Sequence, residues 1–214
     1  KVIGLLYKSP LSSIVGNMGM GYISLAQNAY MILLMIASFS IPQAVSKLIS
    51  ERIALKDYKN AQKIFHGSLI YAAIVGGIVA LVCLFGARFI IPSNQPNAVL
   101  ALQILSPTIF LSGILGVYRG YFQAYRNMMP TSISQIIEQV FNAVISIVGA
   151  SVLFGIGTKA GEKSGEELLG PAYGAAGSTL GTVIGSLSGL LFLLFVIFLY
   201  KNVIRKQLKR DRTQ

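Results

Sequence analysis

Five apolar stretches dominate this 214-residue chain, each longer than the roughly 20 residues a helix needs to cross a bilayer. They run Tyr22–Leu48, Ile64–Ile91, Val99–Tyr121, Pro130–Phe154 and Ala172–Tyr200. In lipid no backbone N–H or C=O can go unpaired, so each stretch must close its own hydrogen bonds as a helix. The fold class expected is all-α, a polytopic integral membrane helix bundle. Composition removes the water-soluble alternative. Only 12% of residues are charged, 54% are hydrophobic and the mean hydropathy is +0.67. A soluble domain carries about 25% charged residues. Half that share cannot cover a globule of this size, which excludes a cytosolic enzyme, and the apolar content excludes a disordered chain. A single cysteine, Cys83, excludes a disulfide framework and a cysteine-based metal site.

The connectors carry the expected punctuation. Lys1–Leu6 reads as the end of a further helix, so the chain is expected to be a piece whose first helix is mostly absent. Pro10 is placed in the connector that follows, and Pro92 and Pro96 in one short loop. Pro130 and Pro171 stand where helices begin, a position that needs no N–H. Pro107 falls inside the third stretch and is expected to kink it. The segment 155–170, glycine-rich and polar, is expected to be a mobile loop. Residues 1–200 are taken as the transmembrane unit and 201–214 as a basic cytoplasmic segment or linker.

The formal charge of +11 would suggest nucleic acid on a soluble protein, but here the cations lie between apolar stretches. Lys47, Arg52, Lys56, Lys59, Lys63, Arg119, Arg126 and six cations from Lys201 to Arg212 fall on one side, thirteen in all. The other side holds four: Lys8, Arg88, Lys159 and Lys163. The positive-inside rule puts the first set in the cytoplasm, and no nucleic-acid partner is expected.

Two helices carry unusual faces. In the fifth stretch Gly177, Gly181, Gly185 and Gly189 recur every four residues, a smooth track where another helix can come close. It reads either as a static packing seam or as one along which helices slide. In the fourth stretch Thr131, Ser134, Gln135, Glu138, Asn142, Ser146 and Gly149 share one face, opposite an aliphatic face of Ile133, Ile136, Ile137, Val140, Val144, Ile147 and Val148. An ionisable residue at this depth carries a penalty of about 2.5–3.5 kcal/mol even on the lenient insertion scale. Glu138 therefore either lines a wet cavity or pairs with Arg119 or Arg126 at the same end. Lys1 is a second intramembrane charge, and facing inward it would suit an anionic ligand. His66 is expected to be solvated or capping, and Cys83 to be packing. No nucleophile–base arrangement, phosphate loop or carboxylate pair is present, so neither enzymatic chemistry nor a cofactor or metal is expected.

Arg119-Gly120-Tyr121-Phe122-Gln123, then Met129-Pro130-Thr131, Ser134-Gln135 and Glu138-Gln139, resemble the signature of bacterial polysaccharide-biosynthesis membrane proteins. Ile41-Pro42-Gln43-Ala44-Val45-Ser46-Lys47-Leu48 resembles a second segment of the same group, and Lys1–Tyr7 the end of its first helix. These proteins belong to the multidrug/oligosaccharidyl-lipid/polysaccharide (MOP) flippase superfamily. Within it the chain is most similar to the MurJ/YtgP-type lipid II flippases. The resemblance implies about fourteen helices in two lobes around a central cavity, with this chain supplying the end of helix one and helices two to six. It implies bacterial plasma-membrane placement. The implied partners are a lipid-linked oligosaccharide, membrane lipids and a C-terminal lobe. The activity implied is transfer of an undecaprenyl-diphosphate-linked saccharide from the inner to the outer leaflet. By position Lys1 matches a substrate-phosphate cation, with Gln135, Glu138 and Asn142 lining the cavity and Arg119, Arg126 and Pro107 in gating or structural roles. Two other readings stay open. One is a drug or cation antiporter of the same superfamily centred on Glu138. The other is a non-transporting cell-envelope scaffold.

Overall fold

The computed structural model describes residues 2–38 and 40–209. Six helices follow in order: α1 Val2–Ser38, α2 Ile41–Ala54, α3 Tyr58–Ile90, α4 Ala98–Ala124, α5 Met129–Ser164 and α6 Leu169–Lys209. Among the described residues, five stretches are long and apolar enough to cross a membrane, the first made of most of α1 together with α2. The all-α bundle expected from the hydropathy is the fold observed.

α4 is the helix the others surround. It packs against α1, α2, α3 and α6, and Leu102, Leu105, Ile109 and Val117 on it are fully buried. Pro107 sits inside it and α4 continues through as one helix. Proline cannot supply the N–H that Gln103 C=O expects. The Ser106 hydroxyl donates to that carbonyl at 2.8 Å instead, so the freed acceptor is satisfied within the same helix. α3 is the opposite case. Ile70, Ile74, Ile78, Leu81, Phe85 and Phe89 are all exposed along it, and in a membrane this face meets lipid chains.

Three boundaries differ from the sequence reading, each for a local reason. Pro10 lies inside α1 rather than in a connector, and the break comes at Gly16, where φ 67° and ψ −177° occupy a region open essentially to glycine alone. The first full stretch is not one helix to Leu48. It stops at Ser38 and restarts at Ile41, because Pro42 is tolerated only in a first helical turn. The segment 155–170 is mostly helix rather than loop. α5 runs to Ser164 and ends on Gly165 in the left-handed conformation, φ 77°. Gly157 and Gly161, read as loop glycines, are where α5 presses on the connection to α6. A Cβ built on either would stand 2.5 Å from a backbone oxygen, of Leu169 and Glu166 respectively. The basic segment after Tyr200 continues α6 as helix to Lys209.

Two turns at the same end of the bundle share one construction. Lys56 after α2 and Arg126 after α4 both take left-handed backbone, φ 59° and 57°. Asp57 N–H then donates to Arg52 C=O at 2.9 Å and Asn127 N–H to Phe122 C=O at 3.1 Å, which closes each helix end.

Candidate functional site

The polar face of α5 and the glycine track of α6 are the two sides of one seam. Four-residue spacing on each helix brings small or polar residues into register. A Cβ on Gly177 would collide with Gly149 C=O, one on Gly181 with Ser146 Oγ, and one on Gly185 would come within 2.7 Å of Glu138 C=O. On Gly189 it would sit 3.3 Å from Ser134 C=O. The absence of side chains on α6 therefore lets the α5 backbone lie directly against it.

Polar side chains bridge this seam in two groups. Deeper in, Ser146 Oγ donates to Ser178 C=O at 2.8 Å and lies 2.9 Å from Asn142 Oδ1, which also faces Thr182 Oγ1 at 3.5 Å. Toward the start of α5, Arg119 of α4 joins. Its Nη2 donates to Glu138 Oε2 at 2.7 Å and its Nε to Ser134 Oγ at 3.2 Å. Ser134 passes its own proton to Thr131 C=O at 2.7 Å, and Ser186 Oγ donates to Glu138 Oε1 at 3.1 Å. Three helices thus meet at a single ion pair whose side chains are 16% and 21% exposed. A charge-assisted pair with both carboxylate oxygens occupied lets two ionised groups persist in a poorly solvated place.

The sequence-predicted residues divide accordingly. Of the two cations considered for Glu138, Arg119 is the partner. Arg126 is exposed, on the left-handed turn after α4. Ser134 and Ser146 are buried in the seam, Asn142 and Glu138 half-buried, and Gln135 exposed beside it. On the aliphatic face Ile133, Ile136, Val140, Val144 and Val148 are exposed, as the pattern predicts for lipid, while Ile137 and Ile147 are half-buried. Gly177, Gly181, Gly185 and Gly189 all lie on the seam. His66 is exposed and its Nδ1 pairs with Gln62 C=O at 2.8 Å, while Cys83 is buried in the core. Lys1 lies outside the described residues.

One cluster escaped the sequence reading. Phe65 stacks its edge on Tyr118 and His66 and tilts against Tyr121, which in turn meets Phe122 and Tyr125. Gln62 Nε2 donates to the Tyr121 hydroxyl at 2.8 Å. Tyr118, Tyr121, Phe122 and Tyr125 recur at helical spacing, which is the signal that marks the cluster in the sequence. Burial, with Tyr121 adding to it, pushes the Tyr125 hydroxyl well above the ordinary tyrosine range, so it stays protonated. At the other end of the bundle a recess of about 540 Å³ opens among Arg88, Asn97, Gln103 and Tyr173.

The sequence profile of the family described as "Polysaccharide biosynthesis protein" matches residues 1–213. The chain belongs to this family. Among curated proteins, the lipid II flippase MurJ of Bacillus subtilis (strain 168) is 25% identical over 154 residues, covering 67% of this chain and 28% of that protein. The stage V sporulation protein B of the same organism is 28% identical over 142 residues, 65% of this chain and 27% of that protein. An uncharacterized membrane protein, YabM, also of Bacillus subtilis, is 26% identical over 149 residues, 68% of this chain and 27% of that protein. The chain therefore spans little more than a quarter of the length of these relatives. No solved structure matches it. This member of the polysaccharide biosynthesis family is a multi-pass bacterial membrane protein, with the Arg119–Glu138 pair inside its bundle.

Proposed function

We propose that the chain forms the N-terminal lobe of a flippase that moves an undecaprenyl-diphosphate-linked saccharide, of the lipid II kind, from the inner to the outer leaflet by alternating access. The observation that carries this reading is the family match along the whole chain, with a lipid II flippase among the relatives. The physics of such a cargo fits a bundle holding polar groups at membrane depth. Each saccharide hydroxyl taken into bare hydrocarbon would lose its hydrogen bonds at several kcal/mol. A polar passage removes that barrier. The membrane potential adds about 2.3 kcal/mol per charge per 100 mV, in the direction that favours outward movement of an anion.

In this reading Lys1 is the cation for the diphosphate, a role that rests on the resemblance at Lys1–Tyr7. Gln135, exposed beside the seam, and Glu138 and Asn142, half-buried on it, contribute polar surface to the passage. Arg119 and Glu138 form a latch across α4, α5 and α6 that is made in one state of the lobe and parted in the other. The test is complementation. The full-length gene is placed in Bacillus subtilis depleted of lipid II flippase activity, and lipid II exposure on the outer leaflet is assayed. Restored growth and exposure are the expected result. Failure of a stably inserted protein to restore either would reject lipid II as cargo. In the same strain, unchanged flipping by Lys1→Ala would reject the ligand role of Lys1.

A further inference from the structure

At the cytoplasmic ends of α3 and α6 a groove of about 440 Å³ lies over the end of α4. Its floor and walls are Phe65, Tyr121, Ile197 and Phe198, and the His66 imidazole and the Lys201 ammonium stand on its rims. Both are exposed. Among the described residues Lys201 has neither an ion pair nor a hydrogen bond. The His66 ring donates from Nδ1 to Gln62 C=O on its own helix, so its neutral form presents Nε2 to the groove as a hydrogen-bond acceptor.

The depth of these two groups follows from the sequence. The polar first turns of α3 end at His66, after which Leu69, Ile70 and Ala72 begin the apolar run. The apolar run of α6 ends at Tyr200, immediately before Lys201. Both groups therefore sit where hydrocarbon gives way to head groups, on the side the charge bias places in the cytoplasm. Each also heads an exposed apolar strip. From His66 the strip runs through Ile70, Ile74 and Ile78, and from Lys201 through Phe198, Leu194 and Leu191. A free phosphate ion would use Lys201 and leave both strips uncovered. A lipid with an anionic head group and two chains covers all of it.

We propose that this groove is a binding site for an anionic glycerophospholipid of the cytoplasmic leaflet, its phosphate on Lys201, a glycerol hydroxyl of its head group on His66 Nε2 and its acyl chains along the strips on α3 and α6. The inference needs only the membrane placement of the chain and stands apart from the flippase reading. The site fixes the spacing of α3 and α6, which otherwise touch each other little.

The test uses the full-length protein in vesicles of equal phosphatidylglycerol and phosphatidylethanolamine. p-Benzoylphenylalanine replaces Phe198, and in a control it replaces lipid-exposed Phe85 at the far end of α3. After illumination the adducts are identified by mass spectrometry. At Phe198 phosphatidylglycerol adducts should exceed phosphatidylethanolamine adducts by about fivefold, the size expected of one interfacial cation. At Phe85 they should follow the vesicle composition. The double variant H66Q/K201Q should bring the Phe198 ratio down to that of Phe85, and Lys201→Arg should preserve it. Circular dichroism and gel filtration establish that the variants stay folded. An equal ratio at Phe198, a ratio indifferent to H66Q/K201Q, or adducts formed with another part of the protein instead of lipid would each overturn the proposal.

Discussion

Replacing Arg119 with methionine tests the energetics of the ion pair most directly. The substitution keeps much of the side-chain volume and removes two charge-assisted hydrogen bonds, to Glu138 at 2.7 Å and to Ser134 at 3.2 Å. Glu138 is left with the neutral Ser186 hydroxyl. Removing one partner of a buried pair costs about 3–5 kcal/mol, because the other charge is stranded. At 16% and 21% exposure some water reaches the pair, which lowers the expectation to about 2–3 kcal/mol. Glu138→Met should cost a similar amount, since it strands the guanidinium. The double variant R119M/E138M removes both charges and should cost no more than about 1 kcal/mol. The cycle is read from unfolding of the purified full-length protein in mixed detergent micelles, all four proteins under one condition. A coupling of at least about 3 kcal/mol, with the double variant more stable than either single one, is expected. Single effects that add to within about 0.5 kcal/mol would refute the reasoning. The pair would then be solvated, and the seam would owe nothing to it.

At the seam, Gly177→Ala should destabilise by about 1–3 kcal/mol in the same assay, because the methyl meets the α5 backbone at Gly149. Gly155→Ala meets nothing within 4 Å and should be neutral or stabilising by up to about 1 kcal/mol. Asp57 caps α3 through Asn60 N–H at 3.3 Å, so Asp57→Ala should lower stability by about 1 kcal/mol, measured by thermal denaturation. Gly16→Ala places a side chain at φ 67° and ψ −177° and should cost about 1–3 kcal/mol despite open space around it. With Cys83 replaced by alanine, a cysteine at exposed Gln135 should react with a membrane-impermeant maleimide, while one at buried Ser134 should not. Equal labelling of both would contradict the packing of α5 on α6.

The helices were readable because lipid forces one answer on a long apolar run. Their ends were less so. Pro10 looks like a breaker, yet the break falls at Gly16, where the backbone needs a conformation that only glycine adopts readily. Glycines at 157 and 161 look like loop chemistry, but their spacing of four continues a packing face. The periodicity of α5 places Ser134, Glu138 and Asn142 on one side. It is silent on what stands opposite, and the glycine track of α6 supplied that answer. Arg119 was nameable as a partner for Glu138 because both lie at the same end. Choosing it over Arg126 required the turn at Arg126 to be seen carrying that residue away from the bundle.

The joining of α5 to α6 has a mechanical consequence. Two helices held backbone to backbone from Gly189 back to Gly157 and Leu169 cannot bend separately, so they must travel as one plank. Any bending of the bundle is then absorbed where regular helix already gives way, at Gly16 and between α1 and α2. A disulfide staple across the plank should leave motion intact, whereas stiffening either interruption should arrest it.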